Sequence, residues 1–128
     1  MTVVLDASAV LAVLYREPGH EIVADLLDGA VISAVNWSEV LTKLTQRGLT
    51  DRALPEALLA LGVDVLPFDE GDAERAADLW PIGRPAGLSL GDRACLAAAQ
   101  AELGGTAVTA DKIWATLDIP NVTVQLIR

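Results

Sequence analysis

The chain predicts an α/β fold, a small and mostly parallel β-sheet sandwiched between α-helices, as one domain over residues 1–128. Three observations carry this expectation. Short apolar runs alternate with longer stretches of helical periodicity, the pattern of strands joined by crossover helices. The length of 128 residues suits one hydrophobic core and leaves no room for a second. No internal repeat, low-complexity tract or long charge run interrupts the order.

The first strand is Val3 to Leu5, followed by a helix from Ser8 to Arg16 that Pro18-Gly19 closes. Glu21 to Asp28 repeats apolar residues at Ile22, Val23, Leu26 and Leu27 and stops at Gly29, which predicts a second helix. Ala30 to Ser33 reads as a buried strand. A third helix starts near Asn36, carries Val40, Leu41 and Leu44 on one face, and stops at Gly48. Thr50 to Leu61 is helical by pattern, with Pro55 expected in its first turn or at a bend, and Val63 to Phe68 is the third strand. Asp69 caps a helix that should end before Pro81. Ile82 to Leu88, rich in glycine and proline, reads as a loop. A strong helix follows from Ser89 to Leu103, ended by Gly104-Gly105. Ala107 to Thr109 is a fourth strand, Asp111 to Leu117 a short helix, and Val122 to Ile127 the strand that closes the sheet.

Composition excludes several classes of function. A net charge of −9 and a pI near 4.3 lack the basic excess of a general nucleic-acid binder. Trp37, Trp80 and Trp114 are scattered, so they offer no platform for stacking successive bases and read as core or interface. Mean hydropathy is high at +0.42, yet no apolar run approaches the ~18 residues of a membrane span. The excess of apolar surface hints at cover by another chain. The opening Thr2-Val3-Val4-Leu5-Asp6 has neither the basic start nor the apolar segment of a signal peptide, which places the expectation in the cytoplasm. Cys95 is the single cysteine and reads as a small buried hydrophobe among apolar neighbours.

Asp6, Glu39, Asp92 and Asp111 each stand where a strand hands over to a helix. In a parallel sheet those positions share the carboxyl edge, where ligands bind. Carboxylates gathered there repel one another unless one takes up a proton or a cation supplies positive charge. Taken singly, each acid has a plainer reading as a helix cap. Asn36-Trp37-Ser38-Glu39 and Ser89-Leu90-Gly91-Asp92 both have capping-box spacing, and Asp6 and Asp111 are plain cap candidates. Together the four favour magnesium, which takes oxygen ligands and keeps much of its water. Such a centre would activate a water for attack on phosphorus and stabilise the leaving oxygen. His20, the only histidine, lies in the turn after Pro18-Gly19, away from the expected edge.

The stretches Val4-Leu5-Asp6-Ala7-Ser8-Ala9-Val10-Leu11-Ala12, Glu39, Leu88-Ser89-Leu90-Gly91-Asp92-Arg93-Ala94-Cys95-Leu96-Ala97 and Val108-Thr109-Ala110-Asp111 resemble, in order and spacing, a PIN-domain nuclease of the VapC toxin type. That resemblance implies a PIN-like fold and magnesium-dependent endoribonuclease activity, with manganese as a substitute. It also implies a homodimer and a cognate antitoxin whose tail blocks the active site. Its acidic residues fall on Asp6, Glu39, Asp92 and Asp111 as metal ligands and catalytic groups. Ser8 and Thr109 match supporting hydrogen-bond positions, and Asn36 is a further supporting contact. Ser8, Arg84, Arg93 and Lys112 are the expected contacts to RNA. Lys43 and Arg47 should share the Glu39 face of their helix, where a Glu39–Lys43 ion pair would draw Glu39 away from a metal. A haloacid-dehalogenase-like phosphatase needs a second Asp where Ser8 stands, and a receiver domain needs an acidic neighbour to Asp6 that is missing. The alternative from another class is a catalytically silent PIN-like module that keeps the acids as caps and only binds a partner.

Overall fold

The computed structural model describes residues 2–102 and 105–128. Its elements run β1 (Val3–Leu5), α1 (Ala7–Tyr15), α2 (His20–Ala24), β2 (Val31–Ser33), α3 (Ala34–Gln46), α4 (Ala53–Ala60), β3 (Asp64–Leu66), α5 (Glu70–Asp78), α6 (Trp80–Gly83), α7 (Leu90–Ala101), β4 (Thr106–Thr109) and β5 (Thr123–Leu126), with 3-10 segments at Arg84–Ala86 and Lys112–Thr116. The five strands pair in parallel in the order β3-β2-β1-β4-β5. The chain lays down β1, β2 and β3 in one direction, then returns to place β4 on the other flank of β1. That reversal opens a crevice at the carboxyl ends of β1 and β4.

Strand periodicity divides the core into two layers. Leu5, Ile32 and Val108 face a cluster completed by Val10 of α1, Val23 of α2, Val40 and Leu44 of α3, and Leu58 of α4. Val4 and Ala107, one residue earlier on their strands, face the opposite cluster, built from Ala76 of α5, Cys95 to Ala99 of α7, and Trp114. Helices therefore cover both faces, as expected for parallel strands whose sides are both buried. Val4, Leu5, Ile32, Cys95 and Trp114 are completely buried. Burial drives the Cys95 thiol well above its usual range, and the negative charges of Asp6, Asp92 and Glu39 add to the effect. Among the described residues no helix is long and apolar enough to cross a membrane.

Several boundaries differ from the sequence reading. The second helix stops at Ala24 rather than Asp28. The third begins at Ala34, because the Ser33 hydroxyl accepts the Val35 amide at 3.2 Å and takes the cap position expected of Asn36. The supposed loop from Ile82 to Leu88 is partly helical, with Pro81 at the start of α6, where a missing N–H costs nothing. The last helix is a 3-10 segment. Leu103 and Gly104, expected to end α7, lie outside the described residues.

Gly19 has φ of 92°, and a Cβ there would collide with the carbonyl oxygen of Ile127, beside β5. Gly48 has φ of 77° and open space around it. In urea unfolding, Gly48→Ala should lose about 1 kcal/mol for its left-handed backbone, and Gly19→Ala about 3 kcal/mol or more because a collision is added. Equal losses would mean that the contact with Ile127 is not there.

Candidate metal centre

Asp6 is fixed at the crevice by both its backbone and its side chain. Its amide donates to the Val108 carbonyl at 2.9 Å, continuing the pairing of β1 with β4. The residue is only 6% exposed, and its Oδ2 accepts the Ser8 hydroxyl at 2.6 Å and the Thr109 hydroxyl at 2.9 Å. Each hydroxyl in turn accepts a main-chain amide at 3.0 Å, Ser8 from Ala110 and Thr109 from Asp111. One Asp oxygen thus joins the start of α1 to the end of β4. Asp6 occupies the cap position of α1, yet its side chain makes no cap bond, so the plain-cap reading fails here. The Ser8 hydroxyl donates to Asp6 and accepts from Ala110, so it supports the acid.

Glu39 reaches the site from α3. Its Oε1 accepts from Asn36 Nδ2 at 2.8 Å, and the same amide nitrogen donates to the Gly91 carbonyl at 2.9 Å. Asn36 therefore belongs to no capping box; it ties α3 to the first turn of α7. Asp92, in contrast, forms the expected box with Ser89: the Asp92 amide donates to Ser89 Oγ at 3.1 Å, and the Ser89 amide to Asp92 Oδ2 at 2.9 Å. Asp111 caps its 3-10 segment, with Oδ1 accepting the Ile113 amide at 3.1 Å.

A common pattern links the four acids. Each has one carboxylate oxygen bonded within the protein: Oδ2 of Asp6, Oε1 of Glu39, Oδ2 of Asp92 and Oδ1 of Asp111. The second oxygen of each makes no hydrogen bond among the described residues. Asp6 feels burial most strongly, and the charges of Asp92 and Glu39 add to it, so its carboxyl is raised from 3.8 to about 6 even though the Ser8 and Thr109 hydroxyls pull it down. Asp6, Glu39 and Asp92 thus share one field. Among the described residues no three acidic, histidine or cysteine side chains converge tightly enough to hold an ion by protein ligands alone. The donor set, with free oxygens only and a buried carboxyl opposed by like charge, fits a hard cation that takes one or two direct carboxylates and keeps its water.

The expected cations are distributed differently from the sequence reading. Arg93 donates to the Ala76 carbonyl at 2.8 Å and so belongs to the contact between α7 and α5, not to the acids. Arg84 lies 5.1 Å from the ring centre of the half-exposed Trp80, and Lys112 is exposed beside Asp111. Arg47 rests 3.8 Å over the ring of Tyr15. Ion pairs among the described residues are His20–Glu21 and Arg75–Asp72, so the Glu39–Lys43 pair does not form. Lys43 instead lines, with Val35, Ser38, Glu39 and Gln46, a groove of about 620 Å³ along α3. The role of Gly91 was not legible in the sequence: a Cβ there would stand 2.6 Å from Glu39 Oε1. The presence of glycine inside the Ser-Leu-Gly-Asp run was the only signal.

The raised Asp6 carboxyl has a stability signature. The folded state binds a proton there more readily than the unfolded chain, so stability is retained below about pH 4 and falls as pH rises through about 6. Without metal, the ionised form costs about 3 kcal/mol at neutral pH. Asp6→Asn, unfolded by urea in chelator, should therefore gain on the parent by roughly 2–3 kcal/mol between pH 4 and pH 8. A difference that stays constant with pH would contradict a buried, opposed carboxyl.

The PIN domain family model matches residues 3–120. The search of curated proteins found no match. Among solved structures, the chain is similar in fold to VapBC2 from Rickettsia felis bound to a promoter DNA fragment, with a TM-score of 0.76, 17% identity, and 98% of each chain covered. It is equally similar to DNA-bound VapBC from Salmonella typhimurium, with a TM-score of 0.76, 16% identity, and 100% of this chain and 99% of that one covered. FitAcB from Neisseria gonorrhoeae gives a TM-score of 0.70 at 22% identity over 98% of this chain and 97% of that one. With the family model spanning nearly its whole length and the carboxyl-edge acids in place, the chain belongs to the PIN domain family.

Proposed function

We propose that the chain is a magnesium-dependent endoribonuclease, with manganese as a substitute, acting as the toxin of a toxin–antitoxin pair. The observation that carries the reading is the set of four carboxylates at the carboxyl edge, each with one oxygen tied and one free. Asp6, Glu39 and Asp92, which share one electrostatic field, would hold the ion, and Asp111 would act through water. When bound, the ion supplies an activated water and stabilises charge at the leaving oxygen. Asp6 stays anchored by Ser8 and Thr109 and keeps its free oxygen directed by the sheet. Arg84 and Lys112, both exposed, are the proposed contacts to RNA phosphates. In a chain of net charge −9 they would provide local rather than general attraction.

The toxin role has support in the structurally similar proteins, which include VapBC and FitAB and a toxin–antitoxin complex from Klebsiella pneumoniae. For this chain we infer a cognate antitoxin and a homodimer. Leu49, Leu54, Leu59 and Leu61, each between 39% and 58% exposed on and around α4, supply apolar surface for a partner chain. The reading as a silent partner-binding module draws on two facts: Asp92 and Asp111 do cap their helices, and among the described residues no three acids converge to hold an ion. It leaves unexplained why Asp6, buried and making no cap bond, is an acid at all.

Protein freed of partners should cut RNA in magnesium, stop on chelation, and lose about a hundredfold or more of its rate in Asp6→Asn. Unchanged cutting by that variant sinks the proposal. Expression of the parent alone should arrest the host, and Asp6→Asn should relieve the arrest. Growth unaffected by a protein that cuts RNA in vitro would remove the toxin role while leaving the nuclease.

A further inference from the structure

Asn36 is completely buried, and both hydrogens of its side-chain amide are engaged, one on Glu39 Oε1 and one on the Gly91 carbonyl. Its Oδ1 is buried without a partner. Gly91 completes the arrangement from the other side. The three atoms nearest to a Cβ at position 91 all belong to the Glu39 head: Oε1 at 2.6 Å, and Cδ and Oε2 at 2.7 Å. Glu39 therefore lies against bare backbone on the first turn of α7, one residue from Asp92.

Its competing position is equally concrete. Lys43 stands one helical turn along α3 and lines the same groove, so a Glu39–Lys43 pair is the ordinary outcome for a glutamate so placed. That pair is not among the ion pairs of the described residues. We propose that Asn36 and Gly91 form a clasp that decides this competition: Asn36 is a positioning residue that draws the Glu39 carboxylate off Lys43 and against α7, and the missing side chain of Gly91 makes room for it. The inference rests on the metal-centre reading for its consequence, while the clasp itself is a property of the metal-free protein.

Five proteins separate the possibilities: Asn36→Ala, Lys43→Ala, the double variant of these two, and Gly91→Ala alone and combined with Lys43→Ala. Manganese affinity is read by electron paramagnetic resonance and folding by thermal melting. Asn36→Ala should bind manganese about tenfold more weakly, Lys43→Ala like the parent, and the double variant should recover most of the loss, because the rival cation is gone. The three atoms nearest to the new Cβ of Gly91→Ala belong to the flexible end of Glu39, so this variant should melt at or above the parent temperature and still lose manganese affinity, and Lys43→Ala should not restore it. No recovery in the double variant, or parental manganese affinity in Gly91→Ala, overturns the clasp.

A readout without metal guards against failure of the centre itself. In ¹⁵N-labelled protein in chelator, the Asn36 side-chain amide proton should shift on Glu39→Ala. If it does not move, the clasp is wrong whatever the metal does. If it moves but the parent binds no manganese, the clasp stands and the metal-centre reading falls. Should Asn36→Ala fail to fold, Gly91→Ala and the amide resonance still decide the matter.

Discussion

Two hydroxyls, from Ser8 at the start of α1 and Thr109 at the end of β4, converge on a single oxygen of buried Asp6. Most of what distinguishes the site follows from that contact. Burying a carboxylate costs several kcal/mol unless it is hydrogen-bonded, and the two donors lessen the cost without removing it, since the carboxyl remains raised to about 6. They also require β1 and β4 to be neighbours with their ends level. The register of Leu5 with Val108 and the Asp6 amide bond to the Val108 carbonyl meet that requirement. The reversal of strand order beside β1 puts the acid at the switch point of the sheet, the place where parallel sheets bind ligands.

Capping and metal binding looked like competing explanations for the acids, and the geometry dissolves the opposition. A carboxylate has two oxygens. At Asp92 and Asp111 one of them meets a backbone amide, which both satisfies the helix start and fixes the side chain's rotamer. The other oxygen is left for chemistry, and its position is set by the cap. Glu39 has no backbone amide to serve and uses the Asn36 amide for the same purpose. In the proposed centre each acid would offer one oxygen to an ion that keeps part of its water.

The sheet and its helices were legible because strand and helix periodicity are local properties of sequence, and Asp6 and Asp111 do follow strands, whereas the helix of Asp92 follows α6 and a 3-10 segment. What escaped depended on contacts between distant segments. Arg93 follows Asp92 directly, but successive helix residues point about 100° apart, and Arg93 is directed to the Ala76 carbonyl on α5. Asn36 has the spacing of a cap, and only the contact with Gly91, across 55 positions, reveals its different task. Ser8, read as a support for the site, does hold Asp6, and its hydroxyl also accepts the Ala110 amide across 102 positions. The glycine and proline run after Pro81 read as a loop, whereas proline at the start of a short helix is favourable and α6 uses it there.

The asymmetry within Asp6 offers the most direct examination of the centre. In crystals of the protein grown with manganese, anomalous diffraction should place an ion about 2.1 Å from Oδ1 of Asp6, with Oδ2 still held by Ser8 and Thr109. A well-ordered site bound through Oδ2 with those hydroxyls displaced would contradict the arrangement, as would crystals in saturating manganese with no ion at the carboxyl edge.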